Sequence, residues 1–305
     1  MRIAIVTGSD EGYFVLLQGL LSSIRERRPQ SAEFDLYVLD GGLSERRRAW
    51  VEGLGARLVA IDWALPEALF GKPFYRILVN KPFLPRVIPG YDLYLWIDAD
   101  AWVQDWEAVR MFVAAATGHG LAAVPEADRA YLEGHGKFPT ELVRPSVQAR
   151  GSWLKAGFGE EITRELLFYP TTNVGVFAAR SDSRLWEIWG DLYREAVSRD
   201  PAMPDGYRFM MEQTSFNVAV LKHIRDFARL PAWCNWTCLQ AWPLVAPSGE
   251  LLEAGYPHRP LGIVHPGGET KRVKIRVSSK EGVGIVERNL RYPGPIASPG
   301  EPAPA

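Results

Sequence analysis

The run Asp92-Leu93-Tyr94-Leu95-Trp96-Ile97 constrains this chain more than any other stretch. From Leu93 to Ile97 it is apolar at consecutive positions, and it then stops on Asp98-Ala99-Asp100. A strand with one wet face alternates apolar and polar residues, whereas a run without alternation has both faces covered. The segment therefore reads as a central strand, with helices packed on both sides of its sheet. It ends on two carboxylates spaced two apart. Ligands on mostly parallel sheets bind beyond the carboxyl ends of the strands, and paired hard oxygen donors placed there suit a divalent cation.

The first hundred residues keep this rhythm. Ile3 to Thr7 reads as a strand and Gly8-Ser9-Asp10-Glu11-Gly12 as a turn-rich loop, after which Phe14, Leu17, Leu21 and Ile24 recur at helical spacing. A strand at Phe34 to Leu39, a helix opened by Ser44 as N-cap and a strand at Leu58 to Ile61 follow. The expectation is an α/β fold with a mostly parallel central sheet and helices on both faces. Asp10, Asp40, Asp62 and Asp98 then all fall at the ligand-binding ends of strands.

The second half is less regular. Pro125 to Ser152 mixes Gly, Pro and charges with weak periodicity and reads as a long functional loop or lid. A strand is expected at Asn173 to Ala179, a helix at Ser183 to Val197 with Leu185, Ile188, Trp189 and Leu192 inward, and a helix at Glu212 to Ile224. A glutamate opening a helix is favoured by the helix dipole alone, so Glu212 needs no functional explanation on that count. The tail at 293–305 is Pro-rich and reads as disordered.

With 305 residues and 47% hydrophobic content, the chain can bury one large core. Its 35 Lys and Arg nearly cancel its 36 Asp and Glu, so charge gives no reason to expect nucleic acid as a partner. Two cysteines, Cys234 and Cys238, argue against a disulfide scaffold and fit a reducing compartment. His258 and His265 follow them at spacings too wide for an ordinary zinc site, which leaves two small buried hydrophobes as the plain reading. The eleven tryptophans, including Trp233, Trp236 and Trp242 close together, could form a platform for stacking a ring, but most read as core. No apolar stretch reaches the ~20 residues of a membrane span. The expected location is cytoplasmic. Lys271-Arg272-Val273-Lys274-Ile275-Arg276 is basic and leaves peripheral contact at the inner membrane open, against the plainer reading of a solvated edge strand.

Four motifs occur in order: Val38-Leu39-Asp40-Gly41-Gly42-Leu43-Ser44-Glu45, Asp98-Ala99-Asp100, Asn173-Val174-Gly175-Val176, and His265-Pro266-Gly267-Gly268-Glu269-Thr270-Lys271 after the short apolar run Gly262-Ile263-Val264. Over roughly residues 1 to 275 the chain resembles glycosyltransferase family 8, whose members have the GT-A fold and include bacterial lipopolysaccharide galactosyl- and glucosyltransferases. The resemblance implies one domain at 1–292, with a nucleotide-binding half at 1–100 and an acceptor-side half at 101–292. It implies that Asp98, Asp100 and His265 hold Mn²⁺ or Mg²⁺, and that Gly268 and Lys271 meet the diphosphate of a UDP-sugar, galactose or glucose being the expected sugar. Thr7, Asp10 and Tyr13 fall where the family binds uracil and ribose, and Asn173 where it touches the donor sugar. Glu212 and Gln213 match a catalytic pair beside the anomeric carbon, and Glu126 an acidic residue facing the sugar. The acceptor would be a glycan or another hydroxyl compound.

Two positions depart from the family pattern. Lys81 stands where an arginine usually contacts the donor, which keeps the charge but loses the bidentate fork. Glu212 stands where the family has aspartate, and is one methylene longer. Pro82 and Pro85 beside Lys81 argue for a short or broken helix there. Two rival functions share the fold logic. A nucleotidyltransferase would want a basic, Gly-rich loop after the first strand, and Ser9-Asp10-Glu11-Gly12 is acidic. A non-catalytic protein that binds sugar nucleotides or glycans is separated from an enzyme only by turnover.

Overall fold

The computed structural model describes residues 1–128, 130–131, 139–279 and 284–300, with 139–146 by backbone alone. The first half follows the expected alternation: β1 (Ile3–Ser9), α1 (Phe14–Arg27), β2 (Asp35–Asp40), α2 (Glu45–Gly53) and β3 (Arg57–Ala60). Next come α3 (Tyr75–Asn80), a 3-10 turn at Lys81–Phe83 and α4 (Leu84–Val87), so the helix is broken where Pro82 and Pro85 require it. β4 (Leu93–Ile97) is buried at every position. The second half holds β5 (Trp102–Val103), α5 (Trp106–His119), β6 (Leu121–Pro125), α6 (Pro139–Leu166), β7 (Thr172–Arg180), α7 (Leu185–Ser198) and α8 (Asp205–Val218). Short strands close the chain: β8 (Ala228–Arg229), β9 (Trp236–Thr237), β10 (Leu244–Val245), β11 (Leu251–Leu252), β12 (Ile263–His265), β13 (Ile275–Ser278) and β14 (Ile285–Arg288).

The main sheet runs β3-β2-β1-β4-β7-β6-β8. Only β7 is reversed: it pairs antiparallel with both β4 and β6, while all other neighbours pair parallel. Both faces are covered, as the unbroken apolar run of β4 requires. Tyr94 and Trp96 join a core formed with α3, α7 and α8, and Leu93, Leu95 and Ile97 join another formed with α5 and the smaller β5-β12-β9 sheet. A third cluster seats Phe14, Leu17 and Leu21 of α1 and Val51 of α2 against Val38.

Two expectations are corrected. The supposed loop at 125–152 is largely helix beyond its undescribed part (129 and 132–138), because α6 begins at Pro139 and continues past a break at Gly159 (φ 80°). Gly151, inside that stretch, and Gly157, just beyond it, are packing residues. A Cβ at Gly151 would stand 3.0 Å from Leu167, and one at Gly157 would stand 2.8 Å from the Met211 sulfur and 3.3 Å from Ala196. A larger side chain at either position would force its neighbour to move. Glu212, in turn, does not open a helix. α8 starts at Asp205, which places Glu212 deep in its interior, so the dipole explanation fails and its burial needs another cause.

The Pro-rich segment beyond Tyr292 lies along α1 as far as it is described. Ala297 N–H donates to Ser22 Oγ at 2.9 Å, Arg25 donates to the Ser298 carbonyl at 3.0 Å, and Tyr292 hydrogen-bonds Glu26. Residues 301–305 lie outside the described part. In the basic stretch, Ile275 and Val277 point inward while Arg272, Lys274 and Arg276 are exposed, but Lys271 is buried. No described helix is long and apolar enough to cross a membrane.

Trp189 joins the helical layer to the sheet. It is fully buried, meets Phe177 and Phe216 edge-on at 5.5 and 5.0 Å, and donates from its indole to the Glu212 carbonyl at 3.2 Å. W189A is expected to cost about 3–5 kcal/mol in urea unfolding. A loss under about 1 kcal/mol would show that α7, α8 and the sheet do not share one core.

Candidate active site

The centre of the site is a tight turn. The Asp98 N–H extends the β4–β7 ladder by donating to the Gly175 carbonyl at 2.7 Å, and the Ala101 N–H then closes back on the Asp98 carbonyl at 3.0 Å. β5 leaves this turn and pairs antiparallel with β12, Val103 opposite Ile263 and Trp102 opposite Val264. That register carries the end of β12 back toward the aspartates. One ligand atom from each of Asp98, Asp100 and His265 can be chosen so that all lie within 4.8 Å of one another, the only such acidic, His or Cys grouping among the described residues.

Each aspartate has one oxygen already engaged. Asp98 Oδ1 accepts from Lys81 Nζ at 2.8 Å and from Trp96 Nε1 at 2.6 Å. Asp100 Oδ2 accepts from Lys271 Nζ at 2.8 Å, while its Oδ1 lies 3.4 Å from His265 Nε2. Burial alone would raise the Asp100 carboxyl, but His265 and Lys271 outweigh it and hold Asp100 well below the usual carboxylate range. Burial works against a charged His265, and Asp100 overcomes it, so the imidazole pKa is raised. His265 Nδ1 is buried with no hydrogen-bond partner.

These three residues could hold a metal ion. Gly175 gives a structural reason for that reading. A Cβ built there would stand 2.3 Å from His265 Cε1 and 2.8 Å from Asp98 Oδ2. The hollow between imidazole and carboxylate therefore depends on a missing side chain. Two carboxylate oxygens and an imidazole nitrogen form a donor set suited to a first-row divalent ion.

Polar residues from β7, α8 and β6 line the next part of the site. Since β7 is reversed, its beginning lies at the carboxyl ends of its neighbours, and Asn173 enters there. Asn173 Oδ1 accepts from the Gly175 N–H at 2.9 Å and from Asn235 Nδ2 at 3.0 Å, and its amide donates to Glu126 at 2.9 Å. Gln213 is held between Glu126 and the Val174 N–H, the latter at 3.4 Å. Burial raises the Glu126 carboxyl despite these donors.

Lys81 is enclosed. Its side chain is 1% exposed, with Nζ 2.8 Å from Asp98 Oδ1, 2.7 Å from Glu212 Oε1 and 4.7 Å from the Trp96 ring centroid. The Glu212 contact is a buried ion pair. Burial opposes the Lys81 charge, and the two carboxylates outweigh it and keep it protonated. Glu212 goes the other way. Burial pushes its carboxyl up, Lys81 offsets only part of that, and the pKa stands at about 7.

The expected nucleotide residues are more scattered. Tyr13 meets the site through Lys271, whose Nζ bonds its hydroxyl at 2.8 Å and lies 4.6 Å from its ring centroid. Asp10 is half-buried and accepts from the Tyr13 N–H at 2.9 Å. Thr7 is buried in β1 opposite Val38, with its hydroxyl unpartnered. Gly268 (φ 41°) packs beside Leu239 at the start of the turn that ends in Lys271. Cys234 and Cys238 are free, buried thiols, and burial raises both pKa values. Trp233 and Trp236 are core and Trp242 is exposed. Trp96, Gly175 and Asn235 were not singled out as site residues from sequence, and only the unalternating β4 run hinted at Trp96.

No protein-family model matches the chain, and no curated protein matches it in sequence. Among solved structures it resembles the galactosyltransferase LgtC in complex with donor and acceptor sugar analogs, with TM-score 0.51, 15% identity and 86% of each chain covered. The fold is GT-A. Two further glycosyltransferases superpose less closely. Bifunctional WbbM gives 0.48 at 13% identity, covering 77% of this chain and 40% of its own. GlyE of Streptococcus pneumoniae gives 0.44 at 14% identity, covering 78% and 47%.

Two outcomes follow from this geometry. G175A meets no left-handed backbone requirement but places a methyl in the hollow. It should weaken Mn²⁺ binding at least tenfold by titration calorimetry while circular dichroism stays unchanged; undiminished binding would remove Gly175 from the site. The raised Glu212 pKa means that folding favours its protonated form. Its contribution is harmless below the unfolded value near 4.5, grows more destabilising as pH rises toward about 7, and is constant above. In chelator, E212Q should therefore gain stability over wild type between pH 5 and pH 8, by on the order of 2–3 kcal/mol in urea unfolding. A difference independent of pH would mean that Glu212 is ionised throughout.

Proposed function

We propose that this protein is a glycosyltransferase that moves a hexose, galactose or glucose, from a UDP-sugar to a hydroxyl of a glycan or other acceptor, with Mn²⁺ or Mg²⁺ and with retention of anomeric configuration. The observation that carries the reading is the meeting of Asp98, Asp100 and His265 with Lys271 on one side and the Asn173–Gln213–Glu126 group on the other. Similarity in fold to a galactosyltransferase supports it.

Breaking a sugar–phosphate bond leaves negative charge on the departing nucleotide and positive charge on the sugar ring. A divalent ion held by Asp98, Asp100 and His265 would act as Lewis acid toward the diphosphate. Lys271 adds a point charge for the same oxygens, and its present partners, Asp100 and Tyr13, hold the ammonium at the site before substrate enters. Thr7, Asp10 and Tyr13 serve the uracil and ribose, and Gly268 lets the backbone approach the phosphates. On the sugar side Asn173 supplies hydroxyl contacts. The Glu212 carboxylate and Gln213 amide oxygen face the developing positive charge, with Glu126 fixing the amides of Asn173 and Gln213. Residues 1–292 act in this reading as one catalytic domain, working in the cytoplasm.

The test is incubation with Mn²⁺ and a panel of UDP- and GDP-sugars while following nucleotide release. UDP release from one hexose donor is expected, with loss of at least 100-fold in D100A. Equal release by D100A would refute the metal role, and an inverted first-formed product by NMR would refute retention.

A further inference from the structure

We infer that Lys81 is a positioning residue that sets which divalent ion the site accepts, by holding Asp98 as a one-oxygen ligand. The inference rests on the metal-binding reading above and deepens it. Lys81 extends from the turn between α3 and α4 into a fully enclosed space, where Asp98, Glu212 and the Trp96 ring occupy its ammonium. With 1% of the side chain exposed, it presents no free face to a donor molecule. Its reach is spent inside the protein.

The consequence falls on Asp98. Its Oδ1 receives two donors, Lys81 Nζ at 2.8 Å and Trp96 Nε1 at 2.6 Å, and a carboxylate oxygen so engaged is a poor further ligand. Oδ2 is the oxygen left, and it shares the Gly175 hollow with the His265 ring. Asp100 is arranged alike, with Oδ2 on Lys271 and Oδ1 toward His265. The cluster therefore offers two single carboxylate oxygens and one imidazole nitrogen. Small six-coordinate ions such as Mn²⁺ and Mg²⁺ accept single oxygens, whereas Ca²⁺ takes six to eight oxygens and readily uses both from one carboxylate. A clamp that denies the second oxygen disfavours the larger ion. Lys271 is the looser of the two lysines because its other partner is the Tyr13 hydroxyl rather than a second carboxylate.

The test measures Mn²⁺ and Ca²⁺ affinities of the donor-free protein by calorimetry, with no turnover needed. K81M removes both charge and hydrogen-bond donor, and K81Q removes the charge but keeps an amide donor that ends one bond short of the lysine nitrogen. Wild type should prefer Mn²⁺. In K81M the preference for Mn²⁺ over Ca²⁺ should fall at least tenfold, and K81Q should restore most of it. Equal loss for both ions in K81M, or the same ratio in K81Q as in K81M, would show that Lys81 acts through charge alone and would overturn the inference. If neither variant folds, W96F removes the other donor on the same oxygen and must lower the ratio; an unchanged ratio overturns it. UDP affinity measured in chelator should be the same in K81M as in wild type, and a drop would restore Lys81 as a donor contact. Wild type that binds no Mn²⁺ at all would refute the metal reading itself, whereas a normal, Asp100-dependent Mn²⁺ site with an unaltered K81M ratio would refute only this inference.

Discussion

Two carboxylates placed two residues apart on a buried turn repel each other, and the rest of the site is organised around that repulsion. At about 4 Å, like unit charges cost roughly 4 kcal/mol at an effective dielectric of 20. Lys81 and Lys271 answer it, each paired with one aspartate. Asp100 stays ionised, and one oxygen of each aspartate is left without a lysine partner. Glu212 is bound into the same balance. It shares Lys81 with Asp98, and its raised pKa reflects an interior that holds one ammonium more comfortably with one carboxylate charge than with two.

Sheet topology then decides which residues can reach that turn. Six parallel strands would bring only strand ends to the crevice. Reversing β7 brings a strand beginning there as well, and with it Asn173 and the side-chain-free Gly175. The small β5-β12-β9 sheet brings His265 to the same place by pairing with the residues that leave the aspartate turn. His265 is thus distant in sequence but adjacent through a two-residue antiparallel ladder.

The first half of the fold was legible because its signals are local and mutually consistent. β4 is apolar without alternation, α1 shows regular spacing, and Pro82 and Pro85 interrupt a helix where the chain does bend. α6 was missed for a physical reason. Gly151 looks like a helix breaker in isolation, and only the closeness of Leu167 shows that it sits in a packed helix. The metal-type cluster was readable through its motif order, because spacing alone does not bring His265 to Asp98. Lys81 was found as a charge but its enclosure was not, since nothing in a sequence tells whether an ammonium faces a crevice or a buried pair of carboxylates. Trp96 was hidden for the same cause: a core indole looks alike whether or not its N–H finds an acceptor.

The shared sheet also limits how this molecule can be divided. β4 is the seam: β1 flanks it on one side and β7, from the later part of the chain, on the other. A fragment ending near residue 100 would leave a fully apolar strand with one bare ladder edge of N–H and C=O groups. Such an edge recruits other chains. The amino-terminal half is therefore better suited to self-association than to life as a free-standing module.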